Sequence, residues 1–535
     1  MKIISLILVA AIIFTSCTKS ENKLLDNTNN IITSPKNNFT LYDYPYNRPD
    51  LEEISENTKQ LLNLIIISEN ETEALNNAKK IIFEINRLES LLNLNIGKIL
   101  TADADLSEKS ELLFLLNNNS FITNLKYSLN ENINISPHKA YILKNLTDTE
   151  KYMLFLTKYI HPMNYQQNRD LNSAIISIYK SAFNEDKILL NLYKNFLTDN
   201  TYILSDNLKS EILAAFLKIQ GYRFLNAQKN NFDNSSKLYF KNNGFAEDEI
   251  KMLIKHTKDY ILPLCQKYEE NLNKLHKENS VENDIFITAE KVSPFSQELL
   301  KICEKRKTLF LDKSKLSLPF PLYISELSAP LILFSTETDF DNTITNRILG
   351  QSLYLSCGNG VRNKMMKFFS GFAYDIMAKK NPAAAQSTYY CLKEIVLFSF
   401  LTELYLKTSY TSNLTKENYK SIFTDLFHEY FPEKENEDSL LYLSSLILSL
   451  IISPADLLVA SVASFELSII KSLNPDFARD SFSSMLISGN IKDLKTFLRS
   501  IGLNSPFNAN TIKSWVYFYE ELLTDAIVET AEEKT

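Results

Sequence analysis

Glycine is the residue this chain most lacks: 9 occur in 535, where average usage of ~7% would supply roughly 37. So few positions that tolerate a left-handed backbone leave little room for tight hairpins, phosphate-cradling loops or nucleotide-binding crossovers. Long helices joined by polar, Asn-rich connections are favoured instead. A β-barrel and an α/β periplasmic binding fold are disfavoured for the same reason. Histidine is scarce as well. The five in the chain are His138, His161, His256, His276 and His428, and no two stand three or four residues apart, the spacing that brings two imidazoles to one helix face for a metal. His428-Glu429 opens such a pattern, but Pro432 stands where the second His is needed. A G-x-S-x-G elbow and a P-loop are absent too. The net charge is −7 with both signs interleaved, which denies nucleic acid the positive face it needs. No nucleic-acid partner and no cofactor are expected.

What is present is apolar bulk. At 45% hydrophobic residues over 535 positions, the chain can bury more than one core. Its first residues read as an address: Met1-Lys2 is a charged start, Ile3 to Phe14 an apolar stretch too short to span a bilayer, and Thr15-Ser16-Cys17 a small-residue cleavage site. A Cys directly after such a stretch resembles the bacterial lipobox, with Phe14 in place of the usual Leu. The expectation is a signal peptide over 1–16 and a diacylglyceryl group on Cys17. Acyl chains worth about 0.8 kcal/mol per buried CH₂ would then hold the protein to a bacterial membrane, with the outer membrane favoured. Cys265, Cys303, Cys357 and Cys391 match no C-x-x-C spacing. In an exported protein they could pair, and equally each sits in an apolar context that suits a buried free thiol.

Residues 17–45 are Asn-, Lys- and Ser-rich without apolar periodicity and read as a flexible tether. Helical patterns then run over Leu51 to Ser68, with Ile54, Leu61, Ile65 and Ile66 near one stripe, and over Thr72 to Leu94 and Thr147 to Tyr159. Thr147 and Glu150 have capping-box spacing. Asn230 to Ser236 and Glu278 to Asp284 read as surface loops, the acidic run Glu433 to Asp438 as a loop between helices, and Trp515, Tyr517 and Tyr519 as core residues. Leu316 to Phe334 is the least helical stretch: Pro319, Pro321 and Pro330 break helices, while Leu322-Tyr323-Ile324 and Leu331 to Phe334 suit short strands. No fixed-period repeat supports a solenoid.

The most telling segment is Arg347-Ile348-Leu349-Gly350-Gln351-Ser352-Leu353-Tyr354. Further landmarks surround it in order: Ala214-Ala215-Phe216 to Gly221-Tyr222-Arg223, then Ile261-Leu262-Pro263-Leu264 with Tyr268. Pro321-Leu322-Tyr323 and Leu331 to Phe334 follow, and finally Phe482-Ser483-Ser484-Met485-Leu486 with Gly489, Leu494, Leu498, Gly502 and Leu503. Together they resemble the thimet-type zinc metallopeptidases, specifically oligoendopeptidase F, along most of the chain after about residue 45. In that family the corresponding helix carries H-E-x-x-H, two His one turn apart on one face and a Glu that activates water. Here Arg347 and Gln351 hold the ligand spacing and Ile348 the place of the Glu. Arg offers no lone pair, an amide is a poor zinc ligand, and Ile has no proton chemistry. For the family's third ligand, alignment on Ser387-Thr388 gives Ala384, and an ungapped count gives Asp375. For its transition-state His and Tyr, alignment on Pro454 gives Ser449 and Leu458. The resemblance therefore implies a member without the zinc motif, with no catalytic residue and no metal.

Fold and function follow from the resemblance as expectations. The fold is mainly α, a bilobed helical metallopeptidase-like architecture around a deep channel, with a small β-element near the channel edge against which an extended peptide could dock. Residues 46–205 would form an N-terminal helical lobe and 206–535 the degenerate peptidase-like domain. Arg347, Tyr354 and Glu394 are candidate peptide-binding residues. Arg347 has two readings: its guanidinium replaces the lost metal charge, pairing with Glu394 or holding a peptide carboxylate or carbonyl, or it fills space and points to solvent. The first functional expectation is a lipid-anchored pseudopeptidase that binds peptides or a protein partner. The alternatives are a surface adhesin with a vestigial channel and a divergent metallopeptidase.

Overall fold

The computed structural model describes residues 39–43, 48–101, 109–147, 150–151, 153–154, 165–182, 188–242, 244–271, 285–311, 321–334, 339–357, 364–411, 413–432, 437–450, 454–487 and 494–532. The expected signal peptide and Cys17, the loop at 278–284, and His161, His276 and Gly489 lie outside them. Within the stretch read as tether, Leu41 is fully buried and donates its N–H to the Arg306 carbonyl at 3.0 Å. Leu41 is part of the body, not of a tether.

Helix α1 (Leu51–Ile67) starts where Asp50 accepts the N–H groups of Glu52 and Glu53, a side-chain N-cap. Its buried stripe is Ile54, Thr58, Leu62 and Ile65, with Leu61 and Ile66 only partly covered. Helices α2 (Glu71–Thr101), α3 (Lys109–Ile135) and α4 (Lys139–Asn145) pack with α1 around a small core that includes Ile65, Ile81, Ile85, Leu129 and Ile142. The predicted box at Thr147 is formed: Glu150 N–H donates to Thr147 Oγ1 at 3.3 Å, and Thr147 N–H to Glu150 Oε2 at 2.6 Å.

A larger core takes in α5 (Tyr165–Ala182), α6 (Ile188–Leu197), α7 (Asp206–Lys229), α8 (Ser235–Asn242), α9 (Glu247–His256), α10 (Leu262–Asn271), α11 (Ile285–Val292) and α12 (Pro294–Lys305). Between α9 and α10 the chain makes a π-turn, Thr257–Ile261, in which the Leu262 N–H reaches back to the Thr257 carbonyl. The widened turn precedes Pro263, which has no N–H of its own to give the ladder. Beyond the strands follow α13 (Asp339–Ser356), α14 (Lys364–Ala378), α15 (Ala385–Thr408), α16 (Lys416–Tyr430), α17 (Glu437–Leu450), α18 (Pro454–Leu473), α19 (Pro475–Ile487), α20 (Leu494–Ser500) and α21 (Ala509–Glu532). Part of the acidic run is thus helix, not loop: Glu437 and Asp438 open α17, where carboxylates suit the positive helix end. Arg223 on α7 is buried and donates to the last carbonyls of α17, Leu448 and Ser449. Trp515 and Tyr519 are core residues, but Tyr517 is exposed.

The sheet has three strands in the order β1-β3-β2. β1 (Leu309–Leu311) runs parallel to β3 (Ala329–Phe334), and β2 (Leu322–Ile324) antiparallel to it, with Tyr323 opposite Pro330. The hairpin turns without glycine: Ser325–Leu327 form a short 3₁₀ turn and Ser328 takes φ 47°. The outer edge of β2 already holds a bond, from Asn93 Nδ2 on α2 to the Tyr323 carbonyl at 2.8 Å.

Two of the scarce glycines set the crossing of α13 and α14. A Cβ on Gly350 would lie 2.2 Å from the Ser370 carbonyl oxygen, and one on Gly371 would lie 2.8 Å from that of Arg347. The helices touch backbone to backbone there. Gly350→Ala should therefore cost about 1–3 kcal/mol by overpacking. At Gly97 the nearest atom is the mobile tip of Ile324 at 3.3 Å, so Gly97→Ala should be close to neutral or stabilising. Urea unfolding of the two variants checks the contrast, and equal effects would refute the tight crossing.

Candidate functional site: an ion-paired helix crossing beside a cavity

The third turn of α13 presents Arg347 to the N-terminal half of α15. Arg347 Nη1 and Nη2 donate to Glu394 Oε1 and Oε2, each at 2.6 Å, a two-pronged bond between a planar fork and a carboxylate. Side-chain exposure is 15% for Arg347 and 4% for Glu394, so the pair is largely withdrawn from water. Tyr193 on α6 donates its hydroxyl to Glu394 Oε1, and Phe372 on α14 lies under the guanidinium, 4.4 Å from ring centre to Cζ. Burial works against the Arg347 charge. Glu394 foremost, then Tyr193 and Asp375, outweigh it and hold the guanidinium well above its ordinary range. Burial and the Glu394 carboxylate together push the Tyr193 phenol well up, which keeps it a donor.

Asp375 on α14 faces the same guanidinium at 3.8 Å and is bound by Lys379 Nζ at 3.1 Å and Asn346 Nδ2 at 3.3 Å. Of the two sequence placements opposite Arg347, the fold brings Asp375 to it, while Ala384 precedes the first turn of α15. Ile348 and Gln351 are buried, and Gln351 lies against α14, where a Cβ on Gly371 would touch its side chain at 3.1 Å. Tyr354, expected to meet a peptide, is completely buried and is not among the described residues that line the cavity. It shares the Arg347 stripe two turns on, but by then the stripe is covered. Ser449 and Leu458 are also buried and away from the cavity. The residues α18 presents there are Ser464, Phe465, Ser468 and Lys471.

That cavity has a volume of about 1090 Å³, with Arg347, Asp375 and Glu394 in its wall. The size lies just above the usual range of ligand pockets, ~300–1,000 Å³. Its described walls are helices and their connections, and none of the described strand residues contributes. Lys471 reaches in from α18 and donates to the Ile376 and Met377 carbonyls at 3.0 and 2.8 Å and to that of Lys379, closing the C-terminus of α14. Burial, with Lys379 nearby, lowers its ammonium to about 8. Cys391 also lines the cavity, its thiol pushed up to about 12 by burial and by Glu394. Like Cys265, Cys303 and Cys357, it is a thiol and not half of a disulfide.

Three comparisons with solved structures bear on this arrangement. PZ peptidase A, solved with an inhibitor, superposes with a TM-score of 0.76 over 91% of this chain and 99% of that one, at 15% identity. A protein assigned as oligoendopeptidase F gives 0.76 over 92% and 100%, at 14% identity, and another from Bacillus anthracis gives 0.70 over 91% and 98%, also at 14%. The fold is that of oligoendopeptidase F. No family model and no curated protein matches the sequence, so the likeness lies in the path of the backbone.

An oligoendopeptidase F fold raises the question of a zinc ion, and the side chains here do not fit one. A guanidinium already occupies Glu394 with both prongs, and Asp375 is shared between Lys379, Asn346 and Arg347. A dication would have to displace two fixed positive charges, and no imidazole among the described residues lines the cavity. Among the described residues no group of three His, Cys, Asp or Glu is placed to hold a metal.

Removing one partner of a buried pair leaves the other charge without compensation, which costs about 3–5 kcal/mol. Arg347→Met and Glu394→Met should each destabilise on that scale. The double variant, which buries two thioethers of similar length, should be more stable than either single one. A double-mutant cycle by urea unfolding reads the coupling, and additive costs would show that the pair is not coupled.

Proposed function

We propose that the chain is a lipid-anchored pseudopeptidase that binds peptides in its central cavity without cleaving them. The observation that carries this reading is the bidentate Arg347–Glu394 bond: the wall of the cavity holds an Arg–carboxylate lock in place of open ligand positions. Hydrolysis of a peptide bond needs a nucleophile activated at the scissile carbonyl. Ile348 supplies no base, and Asp375 and Glu394 are committed to cations. The roomy cavity beside the lock is kept all the same, so binding outlives chemistry.

Anchoring rests on the lipobox-like Thr15-Ser16-Cys17 after its apolar run. Among the described residues no single helix is long and apolar enough to cross a membrane. The long apolar helices α17 and α18 are buried in the large core.

Purified chain incubated with zinc and a library of quenched peptides is expected to show no chelator-sensitive cleavage, while retaining measurable peptide affinity. Turnover abolished by chelator would overturn the proposal. Cys17→Ser should abolish incorporation of labelled fatty acid and release the chain from membranes. Unchanged membrane association would remove the anchor.

A further inference from the structure

The charge of the cavity wall runs against that of the chain. The whole sequence carries −7. Among the described residues lining the cavity, Lys194, Lys291, Arg347, Lys379, Lys380, Lys471 and Arg479 stand against only two carboxylates, Asp375 and Glu394. Both carboxylates are already matched, by Lys379 and by Arg347. Of the remaining cations, Arg479 shares its charge with Asp476 at 3.5 Å and Lys291 has a partner of its own, so the surplus over the described acids of the wall is carried by Lys194, Lys380 and Lys471. A cleft lined by one sign with low-dielectric walls concentrates that potential inside itself. An anion is therefore drawn in, and a cation is repelled from the same space.

The surplus is distributed. Lys194 comes from α6, Lys380 follows the end of α14 and Lys471 lies on α18. Lys380 is exposed, Lys194 partly so, and Lys471 sits deeper, holding the end of α14. Cations on separate helices around a space of about 1090 Å³ match charges spaced along a chain better than one compact anion. Phe372, Pro382 and Tyr390 stand between them and give apolar contact to the carbon portions of such a ligand.

We infer that the occupant of the cavity is an acidic peptide, whose carboxylates meet the lysines of α6 and of the α14–α15 connection. The inference rests on the reading that the cavity binds peptides and adds the class of peptide. Binding of this kind is screened by salt and depends on the number of charges at both partners.

The test is calorimetric titration of the purified full chain with three peptides of equal length and apolar content, one Glu-rich, one neutral and one Lys-rich. The Glu-rich peptide is expected to bind about tenfold or more tightly than the neutral one, to weaken as salt is raised, and to exclude the Lys-rich peptide. Lys194→Glu/Lys380→Glu alters a partly exposed and an exposed residue, neither with an ion-pair partner among the described residues. It should erase the preference while leaving the unfolding midpoint unchanged. Equal binding of all three peptides would overturn the inference and leave peptide binding standing, whereas no binding of any peptide would overturn both. Displacement of the Glu-rich peptide by citrate at the same concentration would overturn the assignment to a peptide.

Discussion

The site is organised by one buried ion pair. Arg347 and Glu394 join α13 to α15, and Tyr193 adds α6 to the same carboxylate. Such a pair is weak evidence for net stability, because taking both charges from water costs several kcal/mol. Its force is in specificity. Once Glu394 is buried, little besides a two-pronged donor at Arg347 can satisfy it, so the register of α13 against α15 is pinned. Three segments far apart in sequence then agree on one arrangement.

That register depends on how closely α14 approaches from behind. Gly350 and Gly371 let the backbones of α13 and α14 meet, which brings Phe372 under the guanidinium and Asp375 to its flank. A third glycine closes a helix instead. Gly502 takes φ 80° after α20, with Leu503 N–H returning to the Leu498 carbonyl and Gly502 N–H to that of Arg499, the Schellman arrangement. Glu466 on α18 holds the next residue, accepting from the Asn504 backbone N–H at 2.8 Å. Burial raises this carboxyl to about 7, yet it does not line the cavity and serves the loop. Gly350, Gly371 and Gly502 thus stand where a side chain could not.

Much of the fold was legible because its signals are local. The Asp50 cap and apolar stripe of α1, the Thr147–Glu150 box and the proline-punctuated strands β2 and β3 each declare themselves within a few residues. β1 did not, since Leu309–Leu311 is as short as β2 and has no proline beside it to mark it. At the site, Glu394 could be named as a partner of Arg347, but Tyr193 could not: the contact joins residues 154 apart to Arg347 and 201 apart to Glu394, and nothing local marks it. Tyr354 misled because helical spacing gives a shared stripe without saying where the stripe passes under a neighbour. The cationic wall was hidden for a related reason. Charges interleave evenly along the sequence, and only the fold gathers Lys194, Lys380, Lys471 and Arg479 around one space.

The central claim is that a guanidinium stands where the resemblance to oligoendopeptidase F would place a metal. Anomalous diffraction at the zinc absorption edge, from crystals soaked in zinc, tests it directly. The account predicts Arg347 fixed on both oxygens of Glu394 with no anomalous peak among Arg347, Gln351, Asp375 and Glu394. A zinc peak coordinated by Asp375 and Glu394, with Arg347 swung aside, would contradict it.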